Sequence, residues 1–380
     1  MKAIQATSHL QTIAFIFLSI ANSSCCGSEI NSLRRNESAE IHRNTIRRIY
    51  GKENADVRAN VHELEMSSDY WRTGVRADPT FEVRYQNHPL ETRKRQRREL
   101  KDKSPHLSED EISSVIRNLE EEPEKSNFQK MRITFDTSAL DSIIDESGGK
   151  KDDVERKVSF IKNEILPRTS DFWSEALKVV PVTGNLVIQE GELSNNKYCG
   201  DSEFTKVPES HLSEGVENSD LVLYVSGTPS TRFCGPTTLA VAVACNFDQF
   251  DRPTAGAINF CLDQVEVDKN GYAPPAIIDD NVDVAIHEAA HVLGMSSNSY
   301  RFFWDSETGA PRTSRNFQVQ TVMCVDGVER ATYMPDKNTL DFFTAENGQR
   351  YASIVTPKVR TVARNQFNCE EIEGGQLEVR

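Results

Sequence analysis

The chain has 380 residues, of which 37% are hydrophobic, and a formal net charge of -14. A chain of this length can form a full-sized core, and we expect one large domain with an N-terminal accessory region. Residues 1–98 carry 16 basic and 11 acidic side chains, whereas the rest carries 28 basic and 47 acidic ones. Such an acidic body argues against nucleic acids and anionic membranes as partners.

The N-terminus has the parts of a secretory signal. Lys2 precedes the apolar run 13–21, and small residues follow as far as Ser23 or Ser24. The run is too short to cross a bilayer, and no later stretch is long enough, so we expect no transmembrane segment. We predict a signal peptide at residues 1–24 and a secreted, soluble protein. The alternative is an ordinary buried N-terminal helix.

A multibasic run, Arg93-Lys-Arg-Gln-Arg-Arg98, ends the polar region 25–98. Such runs occur on solvated faces or nucleic-acid patches, but in a secreted chain we interpret this one as a processing site. A furin-like protease cutting after Arg98 would make residues 25–98 a propeptide. Residues 99–127 are strongly acidic and predict a partly helical linker, ahead of a folded body at 128–380.

The apolar pattern of residues 128–380 predicts alternating strands and helices. Apolar periodicity indicates a strand at 131–136, a helix at 154–177 that Pro167 kinks or divides, strands at 185–190, 220–227, 238–245 and 256–260, and a turn at Pro274-Pro275. Residues 305–350 have loop composition, as an insertion would, and a short amphipathic helix lies near the end. We predict an α+β fold in which the next helix packs against a sheet.

That helix, around residues 283–294, carries the pattern His287-Glu288-Ala-Ala-His291. Asp279 and Asp280 are candidate N-caps, and the helix is expected to stop at Gly294. Histidines one turn apart project from one face and can hold one Zn²⁺, while Glu288 can take a proton from a water molecule. The alternative is a buried helix with two satisfied histidines.

The third zinc ligand is the open question. Catalytic zinc sites usually have three protein ligands, and the compact metzincin pattern would place a histidine where Ser297 stands. No histidine follows His291. The third ligand is therefore expected from outside the chain or from a carboxylate such as Asp305, Asp341 or Glu346.

Cysteines support an exported protein. Beyond Cys25 and Cys26, six lie at wide spacings in the body: Cys199, Cys234, Cys245, Cys261, Cys324 and Cys369. No close pair suggests a structural zinc module, so we predict three disulfides of open connectivity.

An aromatic cluster, Tyr300-Arg-Phe-Phe-Trp304, follows the helix. Clusters of this kind usually belong to a core, and the alternative is that it lines a substrate pocket.

Several of these motifs, in this order, resemble the leishmanolysin family of zinc peptidases. The matching segments are 252–261, 287–296, 300–304, 356–369 and Leu377-Glu378, so the similarity covers about residues 128–380. The resemblance implies a zincin, metzincin-like catalytic domain with a twisted sheet over the active-site helix. It also implies a secreted zymogen with disulfides that hydrolyses proteins or peptides, plausibly extracellular ones.

The chain departs from the family pattern in two places. The family's third zinc histidine follows the Leu-Glu that matches Leu377-Glu378, so the resemblance implies a catalytic domain that is incomplete at Arg380. The family's Met-turn lies later still, so neither Met323 nor Met334 is assigned that role. In the family, a propeptide cysteine inhibits the zinc site, whereas in this chain no cysteine lies between Cys26 and Cys199.

Two functions remain at this point. The first is a secreted zinc endopeptidase with His287 and His291 as ligands and Glu288 as general base. The alternative is a catalytically impaired, truncated homologue that binds proteins as a decoy, because a missing ligand weakens metal binding.

Overall fold

The computed structural model describes residues 70, 73–76, 78–118, 127–200, 204–230, 233–235, 238–323, 328–345, 348 and 350–377. The predicted signal peptide, most of the predicted propeptide and part of the acidic linker lie outside these residues. The chain divides into two compact units. The described residues of the central unit lie within Leu64–Pro229 and Ala240–Phe317, and those of the second unit lie within Ser230–Leu239 and Gln318–Arg380.

The central unit contains most of the secondary structure. Its helices are α1 (Pro89–Lys103), α2 (Glu109–Arg117), α3 (Ser138–Glu146), α4 (Lys151–Phe160), α5 (Leu166–Ala176), α6 (Glu209–Ser213) and α7 (Pro275–Val292). Its strands are β1 (Gln129–Lys130), β2 (Ile133–Asp136), β3 (Lys178–Val179), β4 (Leu221–Ser226), β5 (Ala240–Phe247), β6 (Pro253–Phe260), β7 (Trp304–Asp305) and β8 (Ala310–Pro311). Within the described residues, no helix is both long and apolar enough to span a membrane.

The main sheet has the strand order β2-β4-β6-β5. Strands β2, β4 and β6 run parallel, and β5 pairs antiparallel with β6. Every residue of β4 is buried, as expected for a central strand covered on both faces. Helix α7 packs on β5 and β6. The predicted α+β class and the packing of this helix against a sheet are therefore confirmed.

Gly256 in β6 sets how closely α7 approaches the sheet. A Cβ atom at this position would lie 2.3 Å from Val292 Cγ1 and 2.7 Å from the backbone oxygen of Val243. Real Cβ atoms do not approach that closely. The glycine therefore leaves room for the last turn of α7 to lie directly on the strand.

The long helix predicted at 154–177 forms, and Pro167 alters it without ending it. A π-helical turn, Ile161–Ile165, joins α4 to α5, and Pro167 stands at the start of α5. Proline lacks the amide hydrogen that an α-helix uses. The wider π turn accommodates the missing bond within a continuous helix.

Three local predictions were wrong. Residues 185–190 do not form a strand: Leu186 makes only an isolated bridge with Val216, through two backbone bonds of 2.9 Å, and the segment is a loop whose Leu186 and Ile188 side chains are buried. Helix α7 begins at Pro275 with Pro274 as N-cap, because proline suits the first helical position, so neither Asp279 nor Asp280 caps it.

The third wrong prediction concerns the segment expected to be a loop insertion at 305–350. The part of this segment that belongs to the second unit forms antiparallel strand pairs. These strands are short and do not show a long apolar alternation in the sequence. The elements of the second unit are β9 (Val319–Met323), β10 (Glu329–Tyr333), β11 (Leu340–Thr344), β12 (Arg350–Ile354), α8 (Pro357–Phe367) and β13 (Gly375–Gln376). The predicted short helix near the C-terminus is α8, which ends at Asn368 with a left-handed φ of 48°.

Disulfide bonds form in the body. Cys199 pairs with Cys245 of β5, and Cys234 and Cys261 are disulfide-bonded as well. Cys369 differs from the prediction because it is buried with a free thiol. Cys324 lies outside the described residues, as do the two N-terminal cysteines.

Candidate metal centre

One face of helix α7 packs against the sheet. Ala285, Ala289 and Val292 are completely buried, and their spacing of four and three residues places them on one side of the helix. Small alanines on this side let the helix backbone approach the strands closely. The opposite side is therefore left for polar side chains at a fixed position above the sheet.

The three motif residues lie on that opposite side, and all three are half-buried. The His287 and His291 rings are nearly perpendicular, at 88°, and their Nε2 atoms are 3.0 Å apart. One ligand atom from each residue of the group His287, Glu288 and His291 lies within 4.8 Å of the others. The predicted site residues are thus brought together by a single helix.

The end of α7 orients His291. Gly294 has a φ of +109°, a backbone conformation that only glycine adopts readily, and the chain turns back there. The turn brings the backbone oxygen of Met295 to 2.7 Å from His291 Nδ1. A carbonyl oxygen can only accept, so Nδ1 carries the hydrogen and Nε2 keeps its lone pair. Sequence reasoning found the stop at Gly294 but missed the role of the Met295 carbonyl.

This arrangement fits a zinc ion. Histidine ligands of zinc typically hold their second ring nitrogen through a carbonyl or carboxylate, as His291 does. Two nitrogens on a tetrahedral zinc are about 3.3 Å apart, close to the 3.0 Å between the two Nε2 atoms here. Two imidazole ligands beside a carboxylate that can accept a proton are residue types that hydrolytic zinc sites use.

The candidate carboxylate ligands do not join this group in the part of the chain that the structure describes. Asp305 instead accepts hydrogen bonds from Arg312, at 3.2 Å, and from the backbone amides of Glu307 and Thr308. Asp341 belongs to β11 in the second unit, and Glu346 lies outside the described residues.

The aromatic cluster after α7 belongs to the core. Tyr300 and Phe302 are buried, and Phe302 contacts Tyr70 and Phe247 at centroid distances of 5.1 and 6.2 Å. Burial raises the pKa of Tyr300, which keeps its hydroxyl protonated. The core interpretation of this cluster is therefore favoured over the substrate pocket.

The multibasic run lies within α1, where several of its side chains have partners. Arg97 pairs with Glu109 of α2 and donates to Ser113 at 3.1 Å, and Arg93 donates to the Ile116 oxygen at 3.4 Å. Arg98 itself is exposed. Proteases usually cut exposed, irregular segments, so a cut after Arg98 requires this helix to open locally.

Comparison with known proteins places this arrangement in a family. A family model described as leishmanolysin matches residues 147–380, which is more than half of the chain. A leishmanolysin-like peptidase of Caenorhabditis elegans is 31% identical over 266 residues, covering 58% of this chain and 38% of that protein. The leishmanolysin-like peptidase of Drosophila melanogaster is 26% identical over 271 residues, covering 59% and 38%.

Leishmanolysin of Leishmania major is 29% identical over 201 residues, covering 50% of this chain and 29% of the relative. The chain thus spans less than half of the length of these curated relatives. The matched region includes the sheet strands from β4 to β6, α7 with its histidines, and the second-unit elements from β9 to β13. On this match, the chain belongs to the leishmanolysin family of metallopeptidases.

Proposed function

We propose that this chain is a secreted, zinc-dependent endopeptidase that hydrolyses peptide bonds in protein substrates. The observation that carries the proposal is the group on α7, where His287 and His291 point their Nε2 atoms to one place beside Glu288. The family match supports peptidase activity and does not favour the alternative of a non-catalytic decoy.

Each residue of the group has a separate role in the proposal. His287 and His291 would hold the zinc, and the Met295 carbonyl keeps His291 in the tautomer that can bind it. When bound, zinc supplies a Lewis acid that polarises a carbonyl group and makes water a better nucleophile at neutral pH. Glu288 accepts the proton of the attacking water and transfers it to the leaving amine.

The export and processing of the chain are part of the same proposal. The signal pattern at 1–24 and the disulfides of the body support secretion. We propose that a furin-like protease cuts after Arg98, within a polar region 25–98 that precedes the acidic segment 99–127 and the peptidase domain at 128–380.

Zinc content and proteolysis of the full secreted chain test the proposal. We expect stoichiometric zinc and cleavage of a denatured protein substrate. Glu288→Gln should keep the zinc and reduce the cleavage rate by about 10²- to 10⁴-fold, because it removes the proton acceptor and neither ligand.

Glu266→Gln is the matched control, because Glu266 is exposed and lies on the segment before α7. It should leave both zinc content and rate unchanged. Equal rates for the Glu288→Gln and Glu266→Gln chains would contradict the proposal, as would a zinc-loaded chain that cuts no substrate.

A further inference from the structure

The segment that precedes the multibasic run is built into the core of the central unit. Val83 is 5% exposed and belongs to the same buried cluster as Val222 and Tyr224 of the central strand β4. The backbone of this segment also bonds to the central unit: Tyr85 forms a β-bridge with Val182, and the Thr183 amide donates to the Arg84 backbone oxygen at 2.8 Å. Hydrophobic burial of this kind does not depend on the covalent link to later residues.

A buried ion pair adds to this attachment. Arg76 lies 3.0 Å from Glu192, whose side chain is 2% exposed, and also donates to the Phe247 oxygen at 2.7 Å. The second oxygen of Glu192 accepts the Phe247 amide at 2.8 Å. Withdrawing Arg76 would leave Glu192 buried without its cation, a costly arrangement.

Two further carboxylates accept hydrogen bonds from tyrosine hydroxyls of the same segment. The Tyr85 hydroxyl donates to Asp248 at 2.7 Å, and the Tyr70 hydroxyl donates to Asp251 at 2.5 Å. Glu192 and Asp248 are buried, and the side chain of Asp251 is 7% exposed; we call these three residues the acidic docking cluster. Every member accepts at least one bond from residues 70–85.

Helix α1 is also closely packed. The His88 ring stacks on Phe250 at a centroid distance of 4.3 Å and an angle of 10°. Gly309, in the turn between β7 and β8, lies directly against α1. A side chain would not fit at this position, because a Cβ atom there would lie 2.4 Å from Arg93 Cβ. The helix that carries the proposed cleavage site therefore lies directly against the unit.

We propose that residues 70–98 remain bound to the central unit after cleavage following Arg98, as a non-covalent second chain held by the acidic docking cluster and the core around Val83. The surface that receives them is an aromatic and acidic groove whose partner is this chain's own basic segment. The inference rests on the proposed cleavage but not on the proposed peptidase activity.

The contacts favour retention over release for a physical reason. Cleavage after Arg98 removes one covalent link but none of the buried contacts at Arg76, Val83 and Tyr85, which all lie before the cut. Release would expose an apolar core position and take one hydrogen-bond donor from each of the three carboxylates in a single step. The mature protein is accordingly a nicked complex of two chains.

The test uses the full chain carrying Glu288→Gln, which cannot cut itself. The chain is treated with a furin-class protease and passed through a size-exclusion column under native conditions, and fragments are identified by mass spectrometry. We expect the fragment that ends at Arg98 to co-elute with the 99–380 fragment in equal amounts, and to separate from it in guanidinium chloride. A fragment that elutes alone under native conditions would overturn the inference.

Arg76→Ala and Arg84→Ala make a matched pair of variants. Both remove an arginine side chain from the segment, but that of Arg84 is exposed, whereas Arg76 pairs with Glu192. Arg76→Ala should weaken retention of the fragment by about tenfold or more, because it removes a charge-assisted bond to a buried carboxylate, and Arg84→Ala should not.

A native chain that resists the protease still gives a decisive result. Docking of α1 then predicts that Arg76→Ala raises the rate of cutting after Arg98 by about tenfold relative to Arg84→Ala, because the helix opens more often. Equal rates for the two variants would contradict docking through the cluster.

Discussion

Two groups of ionisable side chains in the central unit differ in burial. The polar face of α7 carries His287, Glu288 and His291, all half-buried. The side chains of the acidic docking cluster are nearly all excluded from solvent, and they are bonded to residues more than 100 positions earlier in the chain. The first group is partly exposed, whereas the second is enclosed by contacts between distant parts of the chain.

This difference shows which chemistry each group can perform. A half-buried histidine pair in which one tautomer is fixed has the ring nitrogens that a metal ion needs as ligands. A buried carboxylate that already accepts hydrogen bonds has its lone pairs used within the fold and contributes to stability instead. Substitutions should therefore affect function alone in the first group and stability in the second.

The largest expected effect is on metal binding and activity. His287→Ala should lower zinc affinity and the rate of proteolysis by on the order of a hundredfold or more, because one of two imidazole ligands is lost. Its thermal stability without metal should not fall, because the side chain is half-buried. His106→Ala, at an exposed histidine, is the control and should change neither quantity.

Arg76→Ala should instead lower stability. We expect the free energy of unfolding to fall by about 3 kcal/mol at pH 8, because the buried Glu192 loses its cation. Urea unfolding, followed by tryptophan fluorescence, measures this change. A variant as stable as the Arg84→Ala chain would contradict the structural role of the cluster.

Gly256→Ala tests the contact between β6 and α7. The added methyl group would meet Val292 and the Val243 backbone, so we expect a loss of about 1–3 kcal/mol from overpacking. A smaller residue at the facing position, in the double variant Gly256→Ala with Val292→Ala, should recover part of that loss. Failure of the double variant to recover any stability would show that the backbone contact with Val243 dominates.

Gly294→Ala tests the orientation of His291 separately from packing. Space is available, since a Cβ atom at Gly294 would have only Phe303 nearby, at 4.0 Å, but the φ of +109° is unfavourable for alanine. We expect a cost of about 1–2 kcal/mol and weaker zinc binding, because the Met295 carbonyl moves. Isothermal titration with zinc measures the second effect, and unchanged affinity would contradict the role of this carbonyl.

The last prediction is a pH dependence of stability. Burial raises the pKa of Glu192 from 4.5 to about 7, against the lowering effect of Arg76. The folded state then binds more protons than the unfolded state between these values, so stability present below pH 4.5 is lost as pH rises towards 7. Glu192→Gln should flatten that slope in unfolding curves collected from pH 4.5 to 7, and an unchanged slope would contradict the assignment.

The candidate site could be predicted from the sequence because its information is local. Five consecutive residues of α7 give the spacing, and Gly294 gives the end of the helix. The central strands were predictable for the same reason, since buried strands read as short apolar runs. The loop at 185–190 shows the limit of this rule, because its apolar residues are buried by tertiary packing without strand pairing.

The acidic docking cluster could not be predicted, because nothing local connects its members. Arg76 and Glu192 are 116 positions apart, and Tyr85 and Asp248 are 163 apart. The region 25–98 is polar overall, so its sequence suggests a detachable propeptide, while the few apolar positions such as Val83 decide its packing. Likewise, the close approach at Gly256 becomes visible only when α7 lies on the sheet.

Thermal unfolding of the full chain with and without zinc tests the central claim most directly, because it detects binding at α7 without requiring catalysis. At a zinc concentration about a hundredfold above Kd, the Tm of the unsubstituted chain and of Glu288→Gln should rise by about 5 °C. His287→Ala should rise by about 1 °C or less, because its zinc affinity is lowered by on the order of a hundredfold or more. An equal rise in His287→Ala, or none in the unsubstituted chain, would contradict a metal centre on the polar face of this helix.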